Sequence, residues 1–487
     1  MNLFEQELKA LKEAKKEFDN VYQSSEFDFN SEQILFGLAS LTARIRTDIL
    51  ETENEIARDF VKSIAPELLL PLPARSLAEI IPAISDNQAR EIQNGTLLSS
   101  KGKSSGEKNF IWETIGKHKL NPTQKIISVK ATEDSEGFDC LEFESRGNGP
   151  WIIYINGESE FAWSLWYFIL EYAKPPIMAK PYVIAQPQNP WQLCRDFFCF
   201  EEKFRYIYME NLPSKFRFAK KIPRDVFSKI CTENFKLNVL PIENAFEQNL
   251  KLTLLDEKTF EAKIFPNEKR QIILSLKEVL AGSIKRANFE KVKYRYSSEK
   301  ISYANLPPNS DTLSICAIVC DGTAAASTLE QGSALLTKDS AMQACEIRSV
   351  INAMPFLRPF AGREPEWGIL GLLQQNYLQF FEGDTLKNAL EMQTWNAQGK
   401  YNYLAQCIKN VFLENKSAVH KGCIVPMANV KITLSLDFLD IRNYGFLGIL
   451  RAYGEMLFYL FRKIFICNML VRLILRIEPF GKELTWE

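Results

Sequence analysis

Histidine is nearly missing from this chain, since His118 and His420 are the only two in 487 residues. That scarcity excludes a multi-histidine metal site and leaves little for general base catalysis. The ten cysteines are scattered from Cys140 to Cys467 and form no CxxC pair, so they read as reduced core thiols rather than a disulfide framework. The closest pairs, Cys194 with Cys199 and Cys316 with Cys320, fall short of the four closely spaced ligands that structural zinc usually takes. Neither sign of charge is in excess, with 59 Lys plus Arg against 60 Asp plus Glu. There is no long-range field to gather nucleic acid or an anionic membrane. An uninterrupted apolar core of the signal-peptide kind is also missing, because Glu5, Glu7, Lys9, Lys12 and Glu13 break the run from Met1, and the chain is expected to stay inside the cell. No Gly-x-Ser-x-Gly elbow, dinucleotide fingerprint or zincin pattern occurs. Gly102, Lys103 and Ser104 imitate the end of a phosphate-binding loop, but the first glycine it needs falls on Leu97. The sequence has no period of 20 to 50 residues, which excludes a repeat array.

What is present is an ordinary globular composition, 46% hydrophobic and 24% charged, in a chain too long for one core. Cores stop growing at roughly 250 to 300 residues, so about two to four domains are expected. The predicted class is α+β and multidomain, with an N-terminal helical bundle, β-rich middle domains, and a mixed C-terminal domain carrying a long apolar helix. Boundaries are expected at 1–85, 86–190, 191–340 and 341–487.

At the N-terminus Phe4, Leu8, Leu11, Phe18 and Tyr22 recur at helical spacing. A second helix, capped by Asn30, should present Ile34, Leu38, Leu41, Ile45 and Ile49 on one face. A third, with Ile56, Phe60 and Ile64, should stop before Pro66. Further on, β-branched and aromatic runs at Ile126 to Val129, Trp151 to Ile155 and Leu313 to Val319 predict strands, and Glu160 to Ala173 a helix. Pro175, Pro176, Pro181, Pro187 and Pro190 mark a connection that cannot be a central strand. Trp367 to Phe380 and Thr385 to Met392 are predicted helices, and Val430 to Leu436 a strand. The greasy segment Leu447 to Ile474 is predicted as a helix buried in protein on most sides. Arg451, Glu455, Arg462, Lys463 and Arg472 make it too charged to span a membrane, and no direct membrane insertion is expected.

Several stretches occur in an order that resembles the TssF family (also called VasA or ImpG) of type VI secretion baseplate subunits. Leu41, Thr42, Ala43, Arg44, Ile45 and Arg46 are followed by the acidic Glu51 to Glu55, by Ala65 and Pro66, and by Pro71, Leu72 and Pro73. Gly95 and Thr96 resemble the family's Gly Thr turn, and Ile153 to Glu158 its strand ending in Asn, Gly and an acid. Leu193 to Phe204 is similar to its aromatic stretch ending in Glu Lys Phe. Asn234 to Pro241 with Asn244, Phe246 and Gln248, then Arg358, Pro359, Trp367 and Asn376 to Leu378, continue the pattern. Val319, Cys320, Asp321 and Gly322 depart from it where a Cys Thr Asn motif is usual.

The resemblance implies a non-catalytic structural wedge subunit without a cofactor. It implies a TssG-like partner that takes two copies of this chain, with TssK, TssE, spike and sheath components around them. The location implied is cytoplasmic, in a baseplate docked at the inner-membrane complex. The candidate partner surface is the N-terminal stripe of Phe4, Leu8, Leu11 and Phe18, together with Arg44 and the C-terminal aromatics Phe458, Phe461 and Phe465. Two other readings stand beside it. One is a cytosolic cysteine-dependent enzyme using His420, near Cys423, or His118; the other is a phage tail baseplate protein.

Overall fold

The structure is a computed structural model that describes residues 5, 6 and 8–13, residues 36–46, Ile56 and Val61, and most of residues 70–357 and 377–487. Two compact units emerge, one of residues 1–69 with 362–375, the other of residues 70–361 with 376–487. In the first, residues 8–13 and 36–46 are helical. The predicted helix over Trp367 to Phe380 lies mostly outside the described residues.

The second unit is strand-rich and mixed α+β. Its first element of order is a closed barrel of six strands: β1 (Arg75–Pro82), β2 (Leu97–Ser100), β3 (Phe110–Thr114), β4 (Val239–Glu243), β5 (Ala334–Thr337) and β6 (Cys345–Ser349), in the order β1-β4-β3-β2-β5-β6. All pairs are antiparallel, from Ser76 opposite Ile242 round to Ile347 opposite Ile80. Alternation supplies the filling: Ala78, Ile80, Leu98, Trp112, Leu240, Ile242, Leu335 and Ile347 share one core, as period-two side chains of a closed sheet must. The Trp112 indole, fully buried, donates to Ser100 Oγ at 3.0 Å, which satisfies the one polar atom that the ring carries inward.

Outside the barrel lie two four-stranded sheets, and helix α1 (Ser159–Tyr172) touches strands of both. The predicted strands lie at Trp151–Ile155 and within Lys125–Glu133, and Leu313 to Val319 falls inside Thr312–Cys320 of a further sheet. Pro181 sits on Lys180–Tyr182, at the edge of its sheet, where a missing N–H costs no ladder bond. Helix α2 (Pro190–Cys199) starts where Asn189 accepts from Trp191 N at 3.0 Å, with Pro190 in the first turn.

Helix α3 (Thr385–Gln393) leads to the C-terminal sheet, β7 (Ile408–His420), β8 (Cys423–Ser435), β9 (Leu470–Glu478) and β10 (Lys482–Trp486), in that spatial order. β8 and β9 are parallel, so the chain must cross over between them, and helix α4 (Tyr444–Ile464) makes that crossing.

Here one expectation is corrected. The long apolar helix foreseen over Leu447 to Ile474 is not one element, because α4 ends at Ile464 and β9 takes up from Leu470. Within β9, Val471, Leu473, Leu475 and Ile477 are buried while Arg472 and Arg476 are less so; that is the period of a strand, and parallel pairing with β8 rewards it. Among the described residues no helix is long and apolar enough to cross a membrane.

Candidate functional site

The two halves of the expected partner surface differ sharply. Phe4 and Phe18 lie outside the described residues. Leu8 and Leu11 are half-buried on their helix, and Lys9 pairs with Glu13 one turn on at 3.8 Å. On residues 36–46 the apolar stripe faces outward: Phe36 is 53% exposed, Leu38 46%, Leu41 59% and Ile45 56%, whereas Ala39 and Ala43 are buried. Arg44 is exposed on the same helix. This helix covers its small residues and presents its large ones, the reverse of ordinary amphipathic packing.

The C-terminal aromatics are largely buried inside the chain. Phe461 has no exposure and Phe465 only 8%. Both rings stack on Phe381, at centroid distances of 5.8 and 5.9 Å. Phe458 alone is half-open, with the Arg462 guanidinium 5.7 Å above its ring. Sequence spacing could not separate these three, because they lie on, or at the C-cap of, a helix that is apolar on most sides.

Helix α4 is fixed by contacts that only its glycines permit. Asn443 caps it, accepting from Gly445 N and Phe446 N at 2.8 and 3.2 Å while donating through Nδ2 to Glu160 Oε1 at 2.8 Å. Its charged stripe is partly put to use internally: Arg451 reaches Glu171 at 3.4 Å and lies over the Trp486 ring, and Trp486 Nε1 donates to Glu455 Oε1 at 2.8 Å. Burial pushes the Glu455 carboxyl up, against the pull of Arg451.

A buried charge cluster joins the barrel to α2. Arg75 Nη1 donates to Asp196 Oδ1 and Lys203 Nζ to Asp196 Oδ2, each at 2.7 Å, and Arg75 also reaches Glu243 at 3.4 Å. Burial alone would raise the Asp196 carboxyl, yet Lys203 and Arg75 hold it well below the usual carboxylate range. A second cluster centres on Arg205, buried against Glu201, Glu202 and Ser159. Neither cluster is legible as a unit in the sequence, since Arg75 lies 121 positions from Asp196 and 168 from Glu243, and Arg205 lies 46 from Ser159. Their charges are committed to one another, which is the arrangement of a fixed frame.

Of the candidate catalytic residues, one pair is brought together and His118 stands apart from it. His118 is buried on Ile92's partner strand, near Asn238 Oδ1 at 3.4 Å, and burial lowers its basicity. His420 and Cys423 are register partners at the end of the β7–β8 hairpin, both exposed to water. Among the described residues no three His, Cys, Asp or Glu side chains are grouped to hold a metal. Lys103 and Ser104 of the glycine–lysine–serine stretch lie outside the described residues.

The fold is that of type VI secretion baseplate chains. It is similar to a chain of the type VI secretion system TssK-TssF-TssG baseplate subcomplex, with a TM-score of 0.75 and 17% identity over 94% of this chain and 98% of that one. It is also similar to a chain of the baseplate complex from the type VI secretion system, with a TM-score of 0.62 and 15% identity over 100% of this chain and 98% of that one. No family model and no curated protein matches the sequence.

Proposed function

We propose that this chain is a TssF-type structural wedge subunit of a type VI secretion baseplate, without catalytic activity or cofactor. The observation that carries the reading is the fold likeness to baseplate chains along essentially the whole length of both partners in the comparison. On this reading the chain binds a TssG-like subunit, two copies to one, and the wedge joins TssK, TssE, spike and sheath components in the cytoplasm at the inner-membrane complex. The outward stripe of Phe36, Leu38, Leu41 and Ile45 supports a helix-mediated partner contact, because water-exposed side chains of that size cost free energy until covered. Phe4, Leu8, Leu11, Phe18 and Arg44 belong to the same proposed surface. Phe458 is the one C-terminal aromatic retained, as Phe461 and Phe465 are already covered.

The test is co-expression with the TssG-like protein of the same genome, purification through a tag on that partner, and mass determination of the complex. A stable complex with two copies of this chain per partner is expected. A chain that ignores the partner and carries a fast-reacting thiol would return the cysteine-enzyme reading.

A further inference from the structure

The C-terminal sheet has two edges of opposite design. β10 is a short edge of five residues, which leaves little length for further pairing. β7, the other edge, runs for 13 residues, and its one irregularity is the shift between Ile408 and Asn410 at its start. Among the described residues β8 is the only strand paired with it. Its hairpin also outruns the sheet, because β9 begins pairing with β8 at Met427 and leaves the tip two strands wide. Phe412 is 58% exposed, Val419 76% and, on β8, Ile424 79%. A long, regular edge with exposed apolar side chains between its charges is a template for another strand.

We propose that β7 pairs antiparallel with β7 of a second copy of this chain, about a two-fold axis at Asn415. The choice of occupant comes from the charges along the edge. A two-fold axis normal to the sheet keeps each face continuous, so odd-numbered residues meet odd and even meet even. Centred on Glu414, the pairing would oppose carboxylate to carboxylate; centred on Lys416, ammonium to ammonium. Centred on Asn415, Glu414 of each copy faces Lys416 of the other, twice, and opposite charges across strands favour pairing where like charges oppose it. The same register sets Phe412 against Ala418 and Val411 against Val419. Glu414 is already held in place, accepting from Asn429 Nδ2 at 3.1 Å and lying 3.0 Å from Lys416 of its own strand. The edge is thus self-complementary in charge, in side-chain size and in direction.

This pairing does not rest on the baseplate reading, and the two fail separately: a chain that dimerises through β7 but ignores a TssG-like protein loses only the latter. The experiment is sedimentation equilibrium of the full chain with the charges exchanged. Glu414→Lys alone and Lys416→Glu alone each place like charges opposite one another, and each is expected to weaken dimerisation about tenfold or more. An equimolar mixture of the two variants restores both attractive pairs and should recover the dimer, as should the double exchange in one chain. Asn415→Cys should give a disulfide-linked dimer under mild oxidation, with the link mapped to position 415 on both chains. A wild-type chain that stays monomeric, dimers indifferent to the single exchanges, or a mixture that fails to recover them would each overturn the proposal.

Discussion

Gly448 lies against Trp163 so closely that a Cβ on the glycine would stand 2.3 Å from the Trp163 carbonyl oxygen. One turn earlier a Cβ on Gly445 would stand 2.7 Å from Glu160 O. The obstacle in both cases is backbone, so α1 and α4 cross at a distance that admits only hydrogen at these two positions.

Gly448→Ala should therefore destabilise the chain by about 1–3 kcal/mol through overpacking, although alanine is by itself the better helix former by about 1 kcal/mol. Gly37→Ala is the control. It sits on the 36–46 helix with nothing within 4 Å of the added Cβ, and should be neutral or stabilising by up to about 1 kcal/mol. Urea denaturation of both variants checks the pair, and a Gly448→Ala chain as stable as wild type would contradict the close crossing.

Asp196→Asn should cost about 3–5 kcal/mol, because Arg75 and Lys203 would remain buried without their counter-charge. The wild-type carboxyl is held below its unfolded value, so its contribution is present above about pH 4 and is lost as pH falls further. Denaturation curves across that range should show an acid-labile component in wild type that the variant lacks.

Glu113 behaves in the opposite sense. Burial, then the neighbouring Glu243 and Glu247, push its carboxyl up to about 7, and Glu243 is its direct partner on the adjacent strand. A folded pKa above the unfolded one means that stability is greatest below about pH 4.5 for this group and declines as pH rises to 7. Glu113→Gln should remove that decline and stabilise the chain above pH 7 by on the order of 1 kcal/mol, the full shift being discounted because the group is half-open to screening water. Thermal melts of both chains at pH 5.5 and 8, roughly either side of the titration, read this out.

Native thiol labelling followed by peptide mass analysis should find Cys231 and Cys423 modified first, both being exposed. Burial pushes the Cys199 thiol up to about 12 and the Cys320 thiol up to about 11, and Cys194 beyond its ordinary range as well. These three should stay unlabelled until the chain unfolds. Cys423 reacting far faster than an ordinary exposed thiol would revive the pairing with His420 as chemistry.

The strands were readable where a local period was uninterrupted. Trp151–Ile155 is both an apolar run and a strand with those limits, and Thr385–Gln393 carries a clean helical pattern. Leu447 to Ile474 was misread as one helix because composition does not distinguish a buried helix from a parallel strand; β8 supplies the partner that makes β9 a strand, from more than 30 positions upstream. The spacing of Leu38, Leu41 and Ile45 identified one helix face, but periodicity does not say what covers a face, and their exposure is visible only in the structure.

The sequence by itself determined the α+β class, the absence of histidine-rich and glycine-rich chemistry, and the order of motifs that resembles a baseplate family, because these depend on residue type and near-neighbour spacing. Only the tertiary structure decided that Phe461 and Phe465 belong to the interior while Phe412 and Val419 do not. It also decided that Arg75, Asp196 and Lys203 form one cluster, and that Glu414 and Lys416 lie on the edge strand of their sheet among the described residues. Burial and charge pairing are properties of chain segments brought together across a hundred residues or more, and the physical cost of leaving them unmatched is felt only once the fold has closed.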